Sequence, residues 1–160
     1  MQIYLLRHGI ASEGTPGKPD SERALTGEGK KELRVLLQFA RKAGVKPSLL
    51  LSSPYRRALE TARIAEFELE CKGGIIETRT LIPAGDPSEV WQEIRLHKDE
   101  KSILLASHEP LMGFLLGYLL GECNLLADFK KGALARVDVD SFPQQPRAVF
   151  KWMIHPKLLL

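Results

Sequence analysis

The sequence predicts an α/β fold of three layers, α/β/α, around a mostly parallel central sheet. Three observations predict it. Short apolar runs, Ile3-Tyr4-Leu5-Leu6, Leu49-Leu50-Leu51 and Ile103-Leu104-Leu105-Ala106, read as strands buried on both faces. Segments with helical spacing separate them, so the strands should run parallel and end on the same side of the sheet. Each of the three runs is followed by groups that suit an anion: Arg7 and His8, then Ser53 and Arg57, then Ser107 and His108. In open α/β sheets ligands bind outside those strand ends.

Taken in order, the first run closes on Arg7, His8 and Gly9, a tight turn that sets an arginine beside a histidine. Residues 10–24 follow as a polar loop too long for an ordinary connection. It reads as a wall or lid over His8, or as a mobile surface excursion. The spacing then predicts a helix with Thr26 as its cap and Glu28 in its first turn. Leu33, Leu36, Leu37 and Ala40 fall on one face, Arg41 and Lys42 suit the last turn, and Gly44 ends it. After Pro47 and the second strand, Ser53 reads as an N-cap with Pro54 at the first helical position of a helix to about residue 67. Its first turn carries Arg56 and Arg57, where the helix dipole already disfavours positive charge. A basic pair there calls for an anion, unless both side chains simply extend into solvent.

Gly73-Gly74 predicts a turn and Ile75-Ile76-Glu77-Thr78 a short strand or extended segment. Asp86-Pro87-Ser88-Glu89 has the form of a capping box ahead of a helix to about residue 96. Asp86 is thus better explained as a cap than as a general acid. The third buried strand leads to His108-Glu109-Pro110, and the apolar residues 111–121 predict a buried helix with Met112 and Tyr118 in the core. Residues 134–139 and 148–154 read as an antiparallel pair of strands at the sheet edge.

The 160 residues suit one domain over 1–160, without repeat or linker, and 44% apolar residues are ample for its core. A net charge of +3 suits an anionic substrate without pointing to nucleic acid. Cys71 and Cys123 stand far apart, form neither a disulfide framework nor a metal motif, and read as buried and inert. No apolar run reaches the roughly 18 residues of a membrane span, and no leader pattern follows Met1. The expectation is a soluble, cytoplasmic monomer that binds neither membrane nor nucleic acid.

The three strand ends together describe a pocket of arginines, two histidines and a helix N-terminus, which is a phosphate site. His8 and His108 without a carboxylate or cysteine cluster make a poor metal set. No Gly-rich loop ends in Gly-Lys-Ser/Thr, so P-loop nucleotide hydrolysis is disfavoured and no cofactor is implied. Phosphoryl transfer on such a site needs a nucleophile, which neutral histidine supplies, and fixed positive charge, which arginines supply.

These motifs resemble the histidine phosphatase superfamily. Leu6-Arg7-His8-Gly9 is similar to its N-terminal signature, the stretch from Ser53 to Ala62 to its second motif, and Ser107-His108-Glu109-Pro110 to the setting of its second histidine. Chain length, Leu81-Ile82-Pro83-Ala84-Gly85-Asp86, and the closing Phe150-Lys151-Trp152 up to Pro156 resemble the short SixA-type phosphohistidine phosphatases within it. The resemblance implies a phosphoglycerate mutase-like fold, His8 as the nucleophile that becomes phosphorylated, and Arg7, Arg57 and His108 as the other catalytic and phosphate-binding residues. Arg56 would then sit at the rim.

Two departures accompany it. Ser12, Glu13 and Gly14 stand where many relatives carry an asparagine. The branch also tends to lack the carboxylate that protonates the leaving group, for which Glu77 and Asp86 are the nearest candidates here. The implied activity is removal of phosphate from phosphohistidine on a protein such as a phosphotransfer domain. The alternatives are a phosphatase of a small phosphorylated metabolite and a non-catalytic phosphate-binding module.

Overall fold

The structure, a computed structural model, describes residues 1–160. One six-stranded sheet runs in the order β3-β2-β4-β1-β5-β6, with β1 (Gln2–Arg7), β2 (Leu49–Ser52), β3 (Ile75–Glu77), β4 (Ser102–Ser107), β5 (Leu134–Asp138) and β6 (Val149–Ile154). β1, β4, β2 and β3 are parallel, and β5 and β6 complete the sheet antiparallel. Four helices cover it: α1 (Gly27–Lys42), α2 (Arg56–Glu68), α3 (Pro87–Leu96) and α4 (Leu111–Leu120).

Period-two alternation in the central strands builds the layers. Ile3, Leu5, Ile103 and Leu105 point to one core, packed with Trp91, Ile94, Leu111 and Leu115 of α3 and α4. Tyr4, Leu6, Leu104 and Ala106 point to the other, packed with Leu33, Leu37, Ala62 and Ala65 of α1 and α2. The result is the expected α/β/α sandwich. From β1 the chain leaves towards β2, and from β4 it leaves towards β5 on the opposite side. These neighbours are therefore the switch point of the sheet, where a crevice opens at their C-terminal ends.

Caps mostly follow expectation. Thr26 Oγ1 accepts from the Gly29 amide at 3.0 Å and starts α1, and Gly44 follows its end at φ 88°. Asp86 caps α3 by accepting from the Ser88 amide, with Pro87 first in the helix, although no reciprocal bond from Glu89 forms. Ser53 is not the cap of α2. That helix starts at Arg56, behind Tyr55, which makes no side-chain cap. The edge strand β6 is more exposed than its apolar run suggested, because only β5 flanks it. Cys71 is buried as expected, whereas Cys123 is exposed in the turn after α4.

The turn after β1 packs tightly on α1. A Cβ at Gly29 would overlap the Ile10 carbonyl oxygen and stand 2.8 Å from the Ile10 amide nitrogen. Gly29→Ala should therefore lower the unfolding free energy by about 1–3 kcal/mol, the usual cost of overpacking. Urea denaturation measures it, and an unchanged midpoint would show that the turn yields freely.

Candidate active site

The parallel register of β1 and β4 pairs Arg7 with Ser107, and the His8 amide donates to the Ser107 carbonyl at 2.9 Å. His8 and His108 thus leave adjacent strands together, with ring centroids 5.1 Å apart. Nδ1–H of His8 donates to the Gly9 carbonyl at 2.7 Å, which leaves the lone pair on Nε2. That nitrogen accepts from Arg57 Nε–H at 3.2 Å. Burial first, and then the positive charges of Arg57, Arg7 and Lys131, push the His8 pKa down to about 4 against the opposing Gly9 bond. The ring is accordingly neutral at pH 7.

Arg57 reaches His8 from the first turn of α2 and is buried, while Arg56 extends outward at the rim and pairs with Glu60 at 3.0 Å. The Arg57 guanidinium lies 5.2 Å from the centre of the Tyr55 ring. Ser53 has a different task from the one expected. Its hydroxyl contacts His108 Nε2 at 2.8 Å and accepts from the Tyr55 amide at 3.2 Å. A hydroxyl proton given to Nε2 leaves the proton of a neutral His108 on Nδ1, aimed away from Ser53. His108 is buried, and burial, followed by His8 and Arg57, drives its pKa down to about 2. Ser107 turns away and donates to the Leu81 carbonyl, so it anchors a loop.

Within the site two buried nitrogens have no hydrogen-bond partner, Arg7 Nε and His108 Nδ1. The rest of Arg7 is fixed by donation from Nη1 to the Phe129 carbonyl at 2.7 Å. An unmet buried polar group costs about 1–3 kcal/mol. Arg7 Nε is a donor suited to an oxyanion, and so is His108 Nδ1 in the tautomer in which Ser53 donates to Nε2. No three histidine, cysteine or carboxylate side chains are grouped so as to hold a metal ion.

Three further residues belong to the site, and none stood out in the sequence. Asp20, from the loop over residues 10–24, closes on Arg57. Nη2 meets its carboxylate at 2.9 Å and Nη1 its carbonyl at 2.9 Å. Arg23 also binds the Asp20 carboxylate at 2.9 Å, and with Arg57 holds it below the usual carboxylate range. The loop is therefore a wall tied to the pocket. Thr61 accepts from the Gly9 amide at 3.2 Å and donates to the Arg57 carbonyl, tying the turn after His8 to α2. Glu109 follows His108, accepts from the Gly113 amide at 2.6 Å, and has its pKa raised by burial. Its placement directly after His108 was the one signal available. Of the expected acids, Asp86 is exposed and spent on its cap, and Glu77 is exposed at the end of β3.

The chain is similar to known proteins in sequence and in fold. The model of the histidine phosphatase superfamily (branch 1) matches residues 3–81, a span that carries Arg7, His8 and Arg57. The chain is 30% identical to the phosphohistidine phosphatase SixA of Escherichia coli K12 over 159 residues, covering 98% of this chain and 94% of that protein. It is 33% identical over 133 residues to the SixA homolog of Haemophilus influenzae, covering 78% and 80% of the two chains. The solved structure of the protein histidine phosphatase SixA complexed with tungstate superposes with a TM-score of 0.88 at 29% identity, over the whole of both chains. In sequence and in its six-stranded, four-helix, phosphoglycerate mutase-like fold, the chain belongs to the histidine phosphatase superfamily.

Proposed function

We propose that this protein is a phosphohistidine phosphatase, removing the phosphoryl group from phosphohistidine on a partner protein, such as a phosphotransfer domain, through a phosphohistidyl intermediate on His8. The reading includes a monomer working in the cytoplasm. The observation that carries it is the state of His8: neutral, its Nδ1 tied to the Gly9 carbonyl, its Nε2 lone pair set among cationic groups.

In the first step the Arg57 Nε–H turns from His8 Nε2 to a phosphoryl oxygen, and the freed Nε2 lone pair attacks phosphorus in line as the phosphorus–nitrogen bond of the substrate breaks. Arg7, Arg57 and His108 hold the equatorial oxygens, where charge accumulates. The substrate imidazole carries away the electron pair of the broken bond. If its second nitrogen bears a proton it leaves as a neutral ring. Water then attacks the phosphohistidyl phosphorus, and His8 leaves as the first imidazole did.

The carboxylates around the site favour this substrate over a phosphate ester. An alkoxide leaving group needs a proton, since its conjugate acid is nearly as weak as water, with pKa about 15.7. Imidazole leaves far more easily, its conjugate acid having pKa about 6.5. Asp20 is paired with Arg57 and Arg23, Glu109 caps α4, and Glu77 and Asp86 are exposed. None is held as a free acid over the leaving group. The likeness to a protein histidine phosphatase solved with tungstate, itself an oxyanion, supports an oxyanion substrate.

Phosphate release from a histidine-phosphorylated protein and from a phosphorylated sugar, compared without added metal, tests the reading. Strong preference for the phosphohistidine protein is expected, and His8→Ala should abolish turnover by orders of magnitude. Preference for the sugar, or activity surviving in H8A, contradicts it. The pH profile is a second check. The folded pKa of His8, about 4, lies below its ordinary 6.5, so the nucleophile stays neutral from alkaline pH down through pH 5. The enzyme-derived acid limb of kcat/KM should lie near 4, and one centred near the unperturbed value of about 6.5 contradicts a buried neutral His8. The same shift makes stability fall as pH drops below 6.5, because the unfolded chain takes up a proton that the folded chain refuses until about pH 4.

A further inference from the structure

Beside the pocket, on the side of Arg7, runs a groove of about 470 Å³ between the start of α4 and residues 125–128. Its walls include Glu109, Phe114, Leu125, Leu126 and Asp128. Two of these are unusually exposed for their size. Phe114 is 62% exposed although its neighbours on α4, Leu111, Met112 and Leu115, are fully buried, and Leu126 is 96% exposed. The only charged residues lining the groove are acids.

At both walls the groove is lined by residues that adjoin the pocket in sequence. Glu109 directly follows His108, and Phe114 lies one turn into α4, its amide bonded to the Pro110 carbonyl at 3.2 Å. Asp128 directly precedes Phe129, whose carbonyl fixes Arg7. The charges of Glu109 and Asp128 both act on the Arg7 guanidinium. Glu109 uses one oxygen on the Gly113 amide, and Asp128 pairs with Lys130 at 2.7 Å on the surface. The surface is thus bipolar: a cationic pocket of Arg7 and Arg57, and next to it an apolar floor with an acidic rim.

We propose that this groove docks the protein that carries the phosphohistidine, taking from it an apolar side chain flanked by a lysine or arginine. The inference rests on the phosphohistidine-protein reading given above. A small metabolite ends within the pocket, whereas a protein-borne phosphohistidine brings a surface that extends past it. Charge complementarity selects the partner: the phosphoryl group meets arginines, and the segment beside it meets Glu109 and Asp128. Exposed Phe114 and Leu126 supply the apolar anchors that such contacts use. A second copy of this chain seated there would cover the Arg7 side of the pocket and oppose turnover.

The test compares two substrates, a histidine-phosphorylated phosphotransfer domain and phosphoramidate, with the wild type and the double variants F114A/L126A and F114S/L126S. Both variants alter exposed side chains. On the protein substrate kcat/KM should fall by about tenfold or more, carried by KM, while phosphoramidate hydrolysis stays within about twofold. Unchanged rates on the protein substrate, or equal losses on both substrates, overturn the proposal. So does loss of a wild-type dimer in sedimentation velocity, which would assign the groove to a second copy. A wild type that cleaves phosphoramidate but leaves the phosphoprotein intact overturns the protein-substrate reading itself, whatever the variants do.

Discussion

The contact on which the site depends is the one between Arg57 Nε–H and His8 Nε2. It joins a buried guanidinium to a buried imidazole, and it is compatible only with an imidazole that keeps its lone pair. A protonated His8 would set two positive charges against each other in a setting poor in water. Burial and the arginines therefore enforce the neutral state that a nucleophile needs, and the Gly9 carbonyl decides which nitrogen carries the lone pair. The parallel register of β1 with β4 and the tie from Gly9 through Thr61 to α2 hold the geometry in place.

Concentrating positive charge has a cost, and Asp20 offsets part of it. Its carboxylate and carbonyl take two edges of the Arg57 fork while His8 takes the third. The loop over residues 10–24 thus brings an anion to a cationic site, and a phosphoryl group must share Arg57 with it. The remaining donors, Arg7 Nε and His108 Nδ1, have no such partner. This division leaves an incoming oxyanion unmet donors from two strands, while Arg57 is already oriented.

Much of this was legible in the sequence, and the limits are instructive. Ile3, Leu5, Leu104 and their neighbours belong to short apolar runs that fold as central parallel strands with both faces packed into the cores. Once strands are parallel, Arg7, His8, Ser53, Arg57 and His108 must collect at one end. What each polar side chain does there was less legible, because it depends on partners distant in sequence. Ser53 had the pattern of a helix cap but holds His108 instead, since α2 starts later. Ser107 looked like a phosphate ligand but anchors Leu81. Asp20 reaches Arg57 only because its loop folds back, and nothing in residues 10–24 distinguishes it from Glu13 or Glu22. Glu109 was adjacent to a site histidine, yet its first task is to cap its own helix.

The account stands on which nitrogen of His8 attacks. Enzyme quenched in alkaline denaturant, trapped during turnover with a phosphohistidine protein, can be examined by NMR for the isomer of phosphohistidine formed at His8. With Nδ1 bonded to the Gly9 carbonyl, the phosphoryl group should be found on Nε2. Phosphorylation at Nδ1, or at His108 in place of His8, would contradict the account at its centre.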